Sequence, residues 1–241
     1  MLRVHSLETF GTHDGPGIRM IVFLQGCNLK CLYCQNPDTQ KFNAGKEMQT
    51  SEILALLEKE RPYFKNGSGL TVSGGEPLMQ RKALIELFTE AKKAGFTTAL
   101  DTNGSVLDED AKKLLAVTDV VLLDVKHINP RWFKKVTNGD VRGPIAFAEY
   151  VEKIQKRTWL RYVLVPGFTD QEKYLHEWGN HFKDYTTFER IEILPFHQFG
   201  FYKYEQLGIK NPLAHVKPPT QEQIKKAYDI FTKYFPNVYV R

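Results

Sequence analysis

Cys27, Cys31 and Cys34, the three cysteines of this 241-residue chain, all fall within Cys27-Asn28-Leu29-Lys30-Cys31-Leu32-Tyr33-Cys34. Thiolates are soft ligands that suit zinc, copper and iron-sulfur clusters. A structural zinc site takes four ligands, and there is no fourth cysteine and no histidine between Leu24 and Pro37. A redox dithiol made of Cys31 and Cys34 leaves Cys27 without a part. A 4Fe-4S cluster normally takes four thiolates, so three of them leave one iron open to a chelating small molecule. The spacing favours the cluster, with zinc and the dithiol as the alternatives.

Other residues that could do chemistry follow apolar runs of strand length. Residues 18–24 lead to Gln25-Gly26-Cys27, 70–72 to Ser73-Gly74-Gly75-Glu76-Pro77, and 97–100 to Asp101-Thr102-Asn103-Gly104. Residues 120–125 contain Asp124, with Lys126 next; 160–165 contain Arg161; 191–194 end before Pro195-Phe196-His197. Each has a plain structural reading beside the functional one. Gly-Gly-Glu can be a strand-to-helix turn. Asp101 can start an Asx turn, and Asp124 can simply pair with Lys126. Arg161 can be a surface cation, His197 a structural histidine, and residues 14–17 a glycine-proline turn.

Elements must place these residues together. Between the six apolar runs lie segments of helical spacing at 51–60, 81–94, 108–117, 145–156 and 171–182, with a last one at 221–234. Ser51 reads as a helix cap and Gly95 as a helix stop. Strands alternating with helices predict βαβ units and a parallel sheet, whose doubly buried strands read as continuous apolar runs. In α/β barrels the active site sits at the carboxyl ends of the strands, and here six successive strand ends carry polar or glycine residues. The prediction is an α/β chain forming a partial (β/α)6 barrel of the TIM type, laterally open, as a single domain over 1–241. A doubly wound sheet, which gathers ligands at one switch point, is the alternative.

Composition narrows the class. Hydrophobic residues are 42% and charged residues 25%, near the averages for globular proteins. The apolar run at 20–24 is too short for a signal-peptide core or a membrane span, so the expected setting is the cytoplasm, where thiols stay reduced. The net charge of +5 is spread among interspersed acids, so no nucleic-acid partner is expected. The basic stretch 126–157 reads as a solvated helix face before a docking patch.

The cysteine spacing, with Tyr33 as the aromatic residue before the last cysteine, resembles the radical S-adenosylmethionine family. The resemblance runs along the chain through Gly11-Thr12-His13-Asp14-Gly15-Pro16-Gly17-Ile18-Arg19, Gly74-Gly75-Glu76, Asp101-Thr102-Asn103-Gly104, Leu123-Asp124-Val125-Lys126, Arg161-Tyr162-Val163-Leu164-Val165-Pro166-Gly167 and Leu194-Pro195-Phe196-His197. It is strongest to the branch that activates glycyl-radical enzymes. That resemblance implies a 4Fe-4S cluster on Cys27, Cys31 and Cys34, and S-adenosylmethionine chelating the open iron. It implies hydrogen abstraction from a backbone glycine of a partner protein, pyruvate formate-lyase.

The resemblance also implies cofactor contacts from Tyr33, Cys34, Gln35, Asn36, Gly74, Gly75, Glu76, Asp124, Val125, Lys126 and His197. Lys126 and Arg161 would act at the reaction centre, and residues 14–17 would lie near the glycine peptide. Asp101, Thr102, Leu122 and Asp124 would surround a monovalent cation. Flavodoxin or ferredoxin is the implied electron donor, and a monomer the implied state. Relatives acting on other glycyl-radical enzymes insert a ferredoxin-like module; residues 35–72 hold no cysteine, which favours the formate-lyase branch. The rival readings are an activase of a different glycyl-radical enzyme and a passive iron-sulfur electron carrier.

Overall fold

The structure is a computed structural model that describes residues 1–65 and 67–241. Its contacts divide the chain into two units, Met1–Asn28 with Thr39–Leu122, and Leu29–Asp38 with Leu123–Arg241.

The first unit contains β1 (Leu2–Gly11), β2 (Arg19–Leu24), β3 (Lys46–Met48), α1 (Thr50–Glu60), β4 (Gly69–Gly74), α2 (Arg81–Lys93), β5 (Thr97–Thr102), α3 (Glu109–Ala116) and the start of β6 (Val120–Asp124). Its strand order is β3-β1-β2-β4-β5-β6. β1 is antiparallel to β2 and β3, whereas β2, β4 and β5 run parallel. Leu24 lies opposite Gly74 and Val72 opposite Leu100, so the segments after β2, β4 and β5 leave from the same end. This is the carboxyl-end arrangement expected from the polar residues that follow each run.

Helices cover this sheet with stripes of helical period. On α2 the buried residues are Leu84, Leu87, Phe88 and Ala91, each Leu or Phe worth about 1.5–3 kcal/mol of burial. Gly95 ends that helix with φ +84, its amide donating to the Lys92 carbonyl, as expected of a helix-stop glycine. The cap of α1 differs from the expected Ser51. Gln49 takes the cap, with Glu52 returning a bond to the Gln49 amide, and Ser51 sits inside the first turn.

Arg19 is fully buried at the start of β2 without an ion-pair distance to any carboxylate among the described residues. Its guanidinium donates instead to Thr71 Oγ1 and to the carbonyls of Pro16, Gly67, Leu70 and Thr97. Burial lowers its pKa to about 10, still far above neutrality, so it is a cation solvated by neutral oxygens. These bonds fasten the glycine-proline turn of residues 12–18, whose Asp14 carbonyl accepts from Thr71 Oγ1. The turn joins the sheet at the amino ends of β2 and β4.

The second unit holds the end of β6, α4 (Pro130–Thr137), α5 (Arg142–Lys153), β7 (Thr158–Leu164), α6 (Glu172–Phe182), β8 (Phe188–Pro195), α7 (Phe201–Gln206), α8 (Gln221–Phe231) and β9 (Val238–Val240). Its strand order is β6-β7-β8-β9, with β7, β8 and β9 parallel and Leu164 opposite Pro195. Trp178 anchors its core: fully buried, it stacks on Phe231 at 4.8 Å, meets Tyr162 edge-on at 5.3 Å, and donates its ring N–H to the Val125 carbonyl at 3.0 Å. The sheet is open: its order ends at β3 in the first unit and at β9 in the second.

All six expected strands are present as β2, β4, β5, β6, β7 and β8. β1 escapes a search for continuous apolar runs because it is half-buried: Leu2 and Val4 are in the core, and Arg3 and His5 are not. The helix expected at 145–156 begins earlier, at Arg142, with Pro144 in its first turn. No helix among the described residues is long and apolar enough to cross a membrane.

Candidate functional site

In the first unit the loop after β2 is fixed through its backbone. The Gly26 amide donates to the Thr39 carbonyl at 2.7 Å and the Cys27 amide to the Gln40 carbonyl at 3.3 Å. The Gly26 carbonyl in turn accepts from the Glu76 amide at 2.8 Å. The glycines after β4 permit this approach: a Cβ on Gly75 would stand 2.2 Å from the Gly26 carbonyl oxygen, and one on Gly74 would stand 2.3 Å from the Leu24 nitrogen. The Gly-Gly pair is therefore required where two backbones touch, next to Cys27.

The Glu76 side chain is 1% exposed, and both its oxygens are engaged. Oε1 accepts from the Leu78 amide at 2.9 Å and the Thr102 hydroxyl at 2.6 Å, and Oε2 from the Asn103 amide at 2.8 Å. Burial pushes its pKa up to about 7, although the three hydrogen bonds favour the carboxylate. Glu76 thus braces the β4 and β5 ends against each other. Asp101 accepts from Ser73 Oγ at 2.6 Å, a second tie between those ends.

Sequence reasoning passed over Asn28. Its side chain donates to Ser105 Oγ at 2.7 Å and accepts from the Asn103 amide group at 3.2 Å, linking the residue after Cys27 to the loop after β5. Its place inside the cysteine motif was the only signal for it.

In the second unit the rest of the cysteine loop is pinned to the end of α4: the amides of Lys30 and Leu32 donate to the carbonyls of Thr137 and Val136, both at 2.8 Å. Tyr33 packs its ring in a core cluster with Val136, Val165, Phe196, Leu213 and Val216. Its hydroxyl is buried without a hydrogen-bond partner among the described residues, and burial holds its pKa well above the usual tyrosine value. Lys126 lies 5.8 Å from the centre of that ring.

Asp124, Lys126 and Arg161 form a buried ionic trio. Lys126 Nζ stands 2.9 Å and Arg161 Nε 3.3 Å from the Asp124 carboxylate, with each side chain no more than 16% exposed. Burial alone would raise the Asp124 pKa, but the two cations outweigh it and hold the carboxyl below its usual range. Burial likewise opposes the charge on Lys126, and Asp124 outweighs it, so the ammonium stays charged far above neutrality. Two cations against one anion leave a net positive charge on the trio, suited to an anionic carboxylate.

His197 follows β8. Its Nδ1 accepts from the Phe199 amide at 3.3 Å, which places the neutral ring's proton on Nε2, and burial lowers its pKa. Gln35 uses its side chain on this same turn, donating to the His197 carbonyl at 2.8 Å and accepting from the Gly200 amide at 2.8 Å. Asn36 accepts from Lys203 Nζ at 2.7 Å.

Several candidates thus come together within one unit. Gly74, Gly75, Glu76 and Thr102 interlock in the first, where Asp101 joins through Ser73; Tyr33, Lys126, Asp124 and Arg161 form one group in the second, and Cys34, Gln35, Asn36 and His197 another. Val125 is a buried core residue whose carbonyl is taken by Trp178, and Leu122 is a fully buried strand residue. Among the described residues no three His, Cys, Asp or Glu side chains close on a single-ion position.

An open α/β sheet with three thiols on the loop after its first parallel strand defines a radical SAM domain, and residues 21–178 match the family model described as the Radical SAM superfamily. Two curated relatives are pyruvate formate-lyase-activating enzymes. That of Streptococcus mutans is 43% identical over 232 residues, covering 93% of this chain and 88% of the relative. That of Clostridium pasteurianum is 40% identical over 227 residues, covering 94% and 95%. Among solved structures, SuiB of Streptococcus suis bound to precursor peptide SuiA shares the fold, with a TM-score of 0.71 at 15% identity over 92% of this chain and 48% of that one. This chain belongs to the pyruvate formate-lyase-activating enzymes of the radical SAM superfamily.

Membership implies a 4Fe-4S cluster and S-adenosylmethionine. The residues fit both groups. Three half-buried thiols on one backbone-pinned loop are the soft donor set a cluster takes. The positive trio of Asp124, Lys126 and Arg161 suits the carboxylate of an amino-acid cofactor. The Glu76 side chain fits the amino group less well than expected, because three protein donors already occupy it.

Proposed function

We propose that this enzyme activates pyruvate formate-lyase by removing an α-hydrogen from one backbone glycine, leaving a glycyl radical on that partner. Identity of 40% or more across 93% and 94% of the chain to relatives named for that activity is the observation that carries the reading. Held by Cys27, Cys31 and Cys34 and by the positive trio of Asp124, Lys126 and Arg161, a reduced cluster and S-adenosylmethionine would supply 5′-deoxyadenosyl radical chemistry for this abstraction, with 5′-deoxyadenosine and methionine as products.

The chain's own residues bind, orient and exclude water. Cys27, Cys31 and Cys34 carry the cluster. Gly74 and Gly75 bring backbone polar groups to the cofactor, with Glu76 as their brace. Lys126 and Arg161, neutralised in part by Asp124, hold a carboxylate or the incoming peptide. His197 offers its Nε2 proton as a donor, and Tyr33 its ring as an apolar wall. Asp101, Thr102, the Leu122 carbonyl and Asp124 supply hard oxygen ligands for a monovalent cation. The 241 residues act as one functional domain, working as a cytoplasmic monomer and reduced by flavodoxin or ferredoxin.

The experiment is anaerobic incubation of the reconstituted enzyme with S-adenosylmethionine, a reductant and the formate-lyase, followed by electron paramagnetic resonance. A glycyl-radical doublet supports the reading. Cleavage of S-adenosylmethionine with no radical on the formate-lyase would transfer the activity to another glycyl-radical partner, and no cleavage would leave a passive electron carrier.

A further inference from the structure

The carboxyl-terminal half of the cysteine loop is held from one direction. Tyr204 of α7, 6% exposed, donates its hydroxyl to the Cys34 carbonyl at 2.9 Å. Gln35 spans the turn before α7, donating to the His197 carbonyl and accepting from the Gly200 amide. Lys203 reaches Asn36 Oδ1 at 2.7 Å and Asp38 Oδ2 at 3.1 Å. The approach is close enough that a Cβ on Gly200 would stand 2.5 Å from the Gln35 carbonyl oxygen.

Five polar contacts therefore join residues 34–38 to 197–204. A loop that merely filled space would be held by apolar packing. Here the Cys34 carbonyl, the Gln35 amide group and the Asn36 side chain each have a specific protein partner, supplied by a helix of only six residues and by the turn that precedes it.

We propose that α7 and its Gly200 turn form a clamp that sets the third cysteine in register with His197, with Tyr204 and Gln35 as positioning residues. The inference rests on the reading that this loop carries the cluster and that His197 serves the cofactor. It reassigns Gln35 from touching the cofactor to orienting the groups that do. Hydrogen bonds around cluster thiolates set the reduction potential, and outer partners orient the ligands, so loosening the clamp changes the cluster as well as the loop.

The test uses Tyr204→Phe, which keeps the ring in its seat and removes one hydroxyl, and Gln35→Ala, with Tyr202→Phe as control because Tyr202 is more than half exposed. In cluster-free protein, amide hydrogen exchange over residues 34–38 should quicken about five-fold in Tyr204→Phe, as expected for one lost neutral hydrogen bond. It should quicken in Gln35→Ala as well and stay unchanged in Tyr202→Phe. After reconstitution, both positioning variants should bind normal iron yet show shifted g-values of the reduced cluster, a shifted reduction potential and faster iron loss to a chelator. Gln35→Glu keeps the acceptor for Gly200 and loses the donor to His197, so its effect should be intermediate. Wild-type exchange and wild-type spectra in both Tyr204→Phe and Gln35→Ala would overturn the clamp. Failure of the wild-type protein to cleave S-adenosylmethionine would instead remove the functional reading, while the cluster-free exchange experiment would still decide whether the clamp exists.

Discussion

The Glu76 carboxylate accepts the Thr102 hydroxyl at 2.6 Å inside the first unit, where almost no solvent reaches either residue. This bond, with those from Leu78 and Asn103, gives the acid of the Gly-Gly-Glu segment a structural task. In Glu76→Gln the amide N–H₂ has to face at least one protein donor. The expected loss is about 1–3 kcal/mol of stability, measured by urea denaturation, as for a buried group left unsatisfied.

The same residue carries a pH signature. Its folded pKa of about 7 lies above the ordinary 4.5, so the folded chain binds this proton more tightly than the unfolded chain does. The resulting stabilisation is fully present below 4.5 and is lost as pH rises through 7. The stability difference between wild type and Glu76→Gln should therefore be larger at about pH 5.5 than at about pH 8. A difference that stays the same at both pH values would show that Glu76 is ionised throughout that interval.

Asp124 differs in sign. Lys126 and Arg161 hold it below the usual carboxylate pKa, so its contribution to stability is present above that range and is lost only as pH falls through its folded pKa. Asp124→Ala leaves two buried cations facing each other and should cost about 3–5 kcal/mol at neutral pH. A double-mutant cycle with Lys126→Met should recover part of that loss, with a coupling of about 0.5–3 kcal/mol. Additive losses would mean the two side chains do not interact. Reconstituted Asp124→Ala should keep its iron while cleaving S-adenosylmethionine more slowly.

Gly75 tests the contact between the strand ends and the cysteine loop. Since a Cβ there would meet the Gly26 carbonyl at 2.2 Å, Gly75→Ala must displace the backbone beside Cys27. Iron uptake during reconstitution should fall well below the about four irons per chain of one 4Fe-4S cluster. Full loading of Gly75→Ala would show that the loop tolerates the shift.

How much of this was legible beforehand depends on the range of the interaction. Cys27, Cys31 and Cys34 declare themselves by spacing, and the six expected strands by continuous apolar runs such as 120–125, because both signals are local. Gly74 and Gly75 were legible as a turn, but the reason for them, the Gly26 carbonyl, lies in another strand's loop. Two of the three partners of Glu76 are 26 and 27 residues away, and Tyr204 meets Cys34 across 170 residues. No periodicity reports such contacts. α7 was missed because it is a single segment of six residues, too brief for a 3.6-residue period to stand out; α4 was missed although it is as long as the expected α3.

Isotope transfer from the target glycine tests the proposed chemistry most directly. A formate-lyase, or a peptide copying its glycine loop, would be deuterated at the glycine α-carbon and incubated with reduced enzyme and S-adenosylmethionine, and the 5′-deoxyadenosine would be analysed by mass spectrometry. Deuterium should appear in that product from both peptide and intact partner, together with a glycyl-radical signal on the protein. Unlabelled 5′-deoxyadenosine with no glycyl radical would contradict hydrogen abstraction from the formate-lyase glycine.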